Sequence, residues 1–183
     1  MLLSRQLQRY PLTANSIITA VLFGAGDLLA QLNNVQNSGE SWDFSQTARQ
    51  SFYGALIAPI NRRWVQFLST IKPLSLRVVT DQILYAPAGV AAYFTAMALL
   101  EGDTFDGVKS RLQTTWWSAV KSNWLIWPLV QTVNLGYVPV GYQVVVSSSV
   151  GVLWNGYLAL CNWEARRQEH INDNKLKMAD QAR

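Results

Sequence analysis

Asp27 is the residue best placed to do chemistry in this sequence. It sits in "LFGAGDLLAQ", Leu22 to Gln31, between Gly24, Gly26 and a run of residues that belong in hydrocarbon. Two aspartates sharing one water can hydrolyse a peptide bond, and Asp81, at the head of another apolar stretch, would have to supply the second carboxylate. The glycines also have a simpler use, since they remove side chains beside Asp27 and let a helix or a solute approach it. Other catalytic sets are missing. The one histidine, His170, lies in a charged tail, and the one cysteine, Cys161, excludes an internal disulfide and a cysteine-based metal cluster. There is no His-Glu-x-x-His, no Gly-x-Ser-x-Gly and no Gly-rich phosphate loop. No catalytic residue, metal or cofactor is therefore expected.

The hydrolase reading fails on its details. Intramembrane aspartyl proteases are similar to one another in a Tyr-Asp helix upstream, Gly-x-Gly-Asp in the next key helix, and a Pro-Ala-Leu turn downstream. Here Asp27 is the first acid in the chain, Asp81 follows Thr80 instead of Tyr, and Pro87-Ala88-Gly89 is the nearest approach to the turn.

The elements that carry Asp27 and Asp81 look like membrane helices. Half of the 183 residues are hydrophobic and 14% are charged, against a usual quarter in soluble domains, and there are eight tryptophans. Mean hydropathy is a modest +0.07. The net charge of +4 comes from scattered basic residues without a dense patch, so no nucleic-acid partner is expected. Apolar segments at about 15–32, 47–68, 82–100 and 142–161 each approach the ~20 residues that cross a bilayer core. Period-2 alternation is absent, so the fold class is all-α: an integral membrane helical bundle of four spans in a single domain, 1–183.

Between the third and fourth spans, residues 105–122 mix Lys109, Arg111 and Lys121 with Trp116 and Trp117 and read as an interfacial amphipathic helix. Residues 123–138, bounded or interrupted by Pro128 and Pro139, read as a broken half-span. Met1 to Thr13 is a short basic amphipathic segment, either a weak targeting element or the end of an interfacial helix. The polar tail, 162–183, reads as a helix end fading into loose chain. With four spans, the N-terminus, the 69–80 loop and the tail share one side and hold nine Lys and Arg, against four on the other side when Arg49, at the start of the second span, is counted with its loops.

Each apolar segment carries a polar stripe at helical spacing. Ser16, Thr19, Phe23, Asp27 and Gln31 form one; Asp81, Tyr85, Gly89 and Tyr93 another; Asn123, Trp127, Gln131 and Asn134 a third; and Ser147 or Ser148, Gly151 and Asn155 the last. An acid at mid-membrane costs ~2.5–3.5 kcal/mol or more, so these stripes must face inward. Two explanations compete. The stripes are glue, with Gly24, Gly26, Gly89, Pro87, Pro128, Pro139, Trp127 and Trp154 shaping or packing the helices. Otherwise they line a path for small solutes through Asp27, Gln31, Gln131, Asn134 and Asn155. Arg62, Arg63 and Asp81 are the candidate charge partners near that path, although the two arginines can instead snorkel from a span end.

Several blocks together resemble one family. "NSIITAVLFGAGDLLAQ", "RVVTDQILYAPAG", "SNWLIWPLVQTVNLGYVPVGYQ" and "LWNGYLAL" are similar, in order and spacing, to the Mpv-seventeen and twenty-two-kilodalton peroxisomal membrane protein family. "EGDTFDGVKSRLQTTWW" further resembles its fungal stress-associated mitochondrial branch. Asp27, Asp81, Gln82, Pro87, Trp127, Pro128, Gln131, Asn134, Pro139, Trp154 and Asn155 match the family pattern. The chain departs from it at Ala58 and Val65, where Gly and Tyr are usual, at Gln143 in place of Arg, and at Ala159 in place of Ser. The resemblance implies a four-span protein of the mitochondrial inner membrane or, alternatively, the peroxisomal membrane. It implies a weakly selective channel for small metabolites, linked to stress response, organelle metabolism and mitochondrial genome maintenance. The expected partners are membrane lipid, permeant metabolites and further copies of the chain. The alternative of a different class is a non-conducting structural or assembly factor.

Overall fold

The computed structural model describes residues 11–38 and 41–181. Five rods follow in order: α1 (Pro11–Ser38), α2 (Phe44–Thr70), α3 (Leu74–Leu100), α4 (residues 105–137) and α5 (Val140–Gln181). There is no strand among the described residues, and the architecture is all-helical, as the hydropathy pattern requires. The basic segment expected over Met1 to Thr13 lies, in its first ten residues, outside the described residues.

Local chemistry sets the ends. Asp43 caps α2, its Oδ1 accepting the Gln46 N–H at 3.0 Å, and Thr104 caps α4 through the Gly107 N–H at 3.3 Å. Gly102, at φ 85°, makes the left-handed turn between α3 and α4 that a side chain would oppose. Val138 is extended ahead of Pro139, which ends α4. Inside α3, residues Asp81–Tyr85 form a single π-turn, with the Ala86 N–H reaching back five residues to the Asp81 carbonyl. Pro87 follows immediately and supplies no N–H of its own, a common reason for a helix to widen.

Two boundaries differ from the sequence reading. The expected interfacial helix 105–122 and half-span 123–138 are one rod, helical from Phe105 through Pro128 to Tyr137, with a π-turn at Leu112–Trp116. Of the basic residues in its first half, Arg111 is buried, at 1% exposure, while Lys109 and Lys121 are exposed. The tail is the second correction: helix continues unbroken from the fourth apolar segment to Gln181.

Because α4 is a full rod, α1 to α4 alternate in direction and α5 returns parallel to α1. Asp27 of α1 lies against Gln46 and Thr47 of α2, Gln50 of α2 bonds Tyr93 of α3, and Gln131 of α4 bonds Asp81 of α3. A methyl placed on Gly26 would come within 2.8 Å of the Val152 carbonyl and 3.0 Å of the Gly156 nitrogen, so α1 and α5 touch backbone to backbone there. The start of α1 and the end of α5 thus lie at opposite ends of the bundle.

Two stretches, Leu12–Leu32 and Leu74–Leu100, are long and apolar enough to cross a membrane by length and composition. They coincide with the first and third expected spans. The bundle is apolar outside: Ile17, Phe52, Ile83, Leu125, Leu129 and Leu153 are each more than half exposed. Inside it is polar, with Asp27, Gln50, Arg111, Asn134 and Asn162 almost fully buried. A layer of Tyr53, Tyr93, Phe94, Met97 and Leu158, with Phe23 against it, is the main apolar core.

Candidate functional site

Three layers stack along the bundle, set by where each helix turns its polar stripe. At one end is the Asp27 network. Asp27 is fully buried and accepts hydrogen bonds from Gln31 Nε2 at 2.8 Å, Thr47 Oγ1 at 2.6 Å and Gln46 Nε2. Gln31 also donates to the Asp43 carbonyl and accepts the Asp43 N–H, which fixes the α1–α2 corner. Gln46 passes the connection on, since its Oε1 accepts from Arg166.

From Arg166 the network becomes ionic. Its guanidinium lies 3.7 Å from Glu101 and 3.9 Å from Asp43. Glu101 pairs with Arg111, which also meets Asp103 at 2.6 Å and Asn162 Oδ1 at 3.0 Å. Asn162 returns a bond to Glu101 at 2.9 Å. All five helices, or the turns beside them, contribute to this clasp.

The middle layer is aromatic. Phe23 and Tyr53 lie 5.6 Å apart by ring centroid, Tyr53 and Tyr93 meet edge-on at 5.5 Å, and Gln50 donates to the Tyr93 hydroxyl at 2.6 Å. These rings stand between the clasp and the third layer.

The third layer surrounds a cavity of about 230 Å³ lined by residues of all five helices. Water needs roughly 10–15 Å³ of such space, so there is room for many waters or one small organic molecule. The π-turn in α3 brings Asp81 and Gln82 to this wall. Asp81 accepts from Trp64 Nε1 at 2.7 Å, Gln131 Nε2 at 3.1 Å and Gln82 Nε2 at 3.2 Å. Trp64 stacks on Tyr85 at 4.9 Å, and the Tyr85 hydroxyl bonds Asn61. Trp127 and Trp154 meet edge-on at 6.2 Å on the opposite wall. Arg62, half-buried one turn beyond Ala58, completes the lining.

The residues singled out from sequence therefore divide. Gln131, Asn155, Asp81, Gly89, Trp127, Trp154 and Arg62 share the cavity, whereas Asp27 and Gln31 lie beyond the aromatic layer. Asn134 is off the cavity and holds the α4–α5 turn, donating to Ser147 Oγ at 2.7 Å and the Gln143 carbonyl at 3.2 Å. Arg62 and Arg63 do not pair with Asp27: they sit at the other end of α2, Arg63 exposed, and neutral amides and a hydroxyl satisfy the acid instead. Gly24 faces Ser51 of α2 and Gly26 faces α5, so both admit helices. The Pro87 carbonyl accepts from Trp116 Nε1 at 2.9 Å, and the Pro128 carbonyl from Thr132 at 2.7 Å. Sequence reasoning missed Gln46, Glu101, Arg111, Asn162 and Arg166. The available signal was the i, i+4 pair Asn162 and Arg166 continuing the stripe of Asn155 into the tail.

Comparison with known proteins agrees with this arrangement of blocks. The profile of the Mpv17 / PMP22 family matches residues 98–159, which run from the end of α3 to the middle of α5. Protein SYM1 of Eremothecium gossypii is 38% identical, over 85% of this chain and 91% of its own length. Protein SYM1 of Saccharomyces cerevisiae is 35% identical over 90% of each chain, and Protein sym-1 of Neurospora crassa 36% identical over 86% of this chain and 95% of its own. No solved structure matches. With relatives this similar over nearly their whole length, the chain belongs to the Mpv17 / PMP22 family.

Proposed function

We propose that this protein is a multi-pass protein of the mitochondrial inner membrane that forms, or helps to form, a weakly selective path for small metabolites. The observation that carries this is the cavity of about 230 Å³ within the bundle, with Arg62, Asp81, Gln131 and Asn155 in a wall of mixed polar, aliphatic and aromatic residues. Polar groups turned inward beneath an apolar exterior are what a solute path in lipid requires. Alongside the two most apolar helices, α2, α4 and α5 complete the crossing bundle, their inward arginines shielded from acyl chains. Several copies together would widen the path. The organelle rests on the resemblance to the stress-associated fungal branch, and fluorescence of the tagged chain against inner-membrane and peroxisomal markers decides between the two. A role in mitochondrial metabolic and genome homeostasis would follow from metabolite supply.

A specific feature favours a second reading. The ring layer of Phe23, Tyr53 and Tyr93 crosses the bundle beside the cavity, and Asp27 beyond it is fully bonded, as a non-conducting assembly factor would have it. Proteoliposome flux over a size series of solutes separates the two. Gly151 lines the cavity and a Cβ there meets nothing within 4 Å, so Gly151→Leu is the substitution chosen to narrow the space. A path for solutes gives size-limited flux that Gly151→Leu reduces; flux no higher than in empty liposomes at verified incorporation removes the channel reading.

A further inference from the structure

We propose that the central cavity is a binding site for a small organic monoanion, with the Arg62 guanidinium as the group that takes its carboxylate. This deepens the solute-path reading and rests on it only for the cavity's access to solute.

Arg62 stands on the inward stripe of α2, one turn after Ala58, which is 3% exposed. A guanidinium turned inward in a bundle with an apolar exterior faces protein or a water-filled space, and pairs with an acid or with backbone carbonyls. The other inward arginines have acids, Arg111 in Glu101 and Asp103, Arg166 in Glu101 and Asp43. Arg62 has no carboxylate within ion-pair distance among the described residues.

Asp81 is the one carboxylate in the cavity wall, and its oxygens are already taken up by Trp64, Gln82 and Gln131. Of the two charged groups at the cavity, then, the acid is satisfied and the base is open. Among the described residues no other cation lines the wall; Gln143 there is neutral and donates to the Val138 carbonyl.

The rest of the wall narrows the ligand. A guanidinium matches a carboxylate through two parallel hydrogen bonds, and Trp127 Nε1 is a further buried donor without a partner. Trp64, Tyr85, Trp127 and Trp154 offer flat apolar faces to a short hydrocarbon body. At about 230 Å³ the space lies below the ~300–1,000 Å³ of pockets for drug-sized ligands, which suits a few-carbon acid better than a nucleotide. The charge of Asp81 in the same cavity repels a second negative group, so monoanions are preferred over dianions.

The test is equilibrium binding to the purified full chain in neutral detergent, read by quenching of tryptophan fluorescence, with butyrate, butyramide, butylamine, succinate and phosphatidic acid as probes. Butyrate should bind at least about tenfold more tightly than butyramide or butylamine, as charge-assisted paired hydrogen bonds require, and more tightly than succinate. Arg62→Gln should abolish that difference, and Arg62→Lys, which keeps the charge and guards against misfolding, should retain part of it. Arg63→Gln, exposed on the same turn, should leave it unchanged. Equal binding of butyrate and butyramide overturns the proposal, as does butyrate binding indifferent to both Arg62 variants, or binding of phosphatidic acid alone. Detergent binding does not depend on conduction, and flux of neutral solutes does not depend on Arg62, so failure of the site and failure of the path are separable.

Discussion

Asp27 is a case of a buried acid whose direction is legible from sequence and whose partners are not. Its position on a polar stripe within an apolar helix forces it inward. The partners come from the next helix, and the register between two helices is set by contacts such as Gly24 against Ser51 and Gly54 against Thr19, which no periodicity encodes. Arg62 and Arg63 attract attention because opposite charges pair, yet a carboxylate is equally content with three neutral donors. The network makes a direct prediction. Asn at this position keeps one acceptor and turns an amide N–H₂ toward the groups that donate to Asp27. Asp27→Asn should therefore cost about 1–3 kcal/mol of stability, the penalty of unmatched buried donors, and lower the melting temperature in detergent. Flux through the cavity should be unaffected, because the aromatic layer stands between. A melting temperature equal to the wild type's would show that the network does not hold the α1–α2 corner.

At the scale of the helix, the apolar segments were plain in the sequence because hydrocarbon selects uninterrupted runs, and α1 and α3 follow them closely. α4 was hidden by its own clasp. Arg111 counted as a surface charge, but Glu101 and Asp103 precede it across a tight turn and Asn162 comes from a helix fifty residues on, so the charge is neutralised in place. A cation on the inward side of a rod reads, in one dimension, like a cation on the outward side. Removing it should be costly. Arg111→Ala strands two acids and an amide at the meeting of α3, α4 and α5, and breaking a buried pair in this way costs ~3–5 kcal/mol. Arg111→Lys should fall between, because a point charge cannot serve Glu101, Asp103 and Asn162 at once. Size-exclusion profiles after a heating series rank the three proteins; an Arg111→Ala protein as heat-resistant as the wild type would mean the clasp is idle.

For the whole molecule, the continuity of α4 decides the topology. Reading 105–122 as lying on the membrane leaves four crossings and puts both ends of the chain on one side. A rod from Phe105 to Tyr137, antiparallel to α3 along its length, adds a fifth helix along the length of the bundle and sends α5 the opposite way. In this arrangement the tail lies at the end of the bundle that holds the α3–α4 turn, and not at the end that holds the α2–α3 turn. This also explains how one cavity can be walled by five elements: each polar stripe adds one side, and a four-rod bundle would leave Gln131 and Trp127 outside. Single cysteines in a Cys161→Ala background test it. Ser69 and Gln168, both exposed, mark the α2–α3 turn and the distal part of α5. In oriented vesicles, a membrane-impermeant maleimide added outside should label Ser69→Cys or Gln168→Cys but not both, and permeabilisation should expose the other. Labelling of both from the same side would require α4 to leave the membrane, and with it the enclosure of the cavity on which the solute path depends.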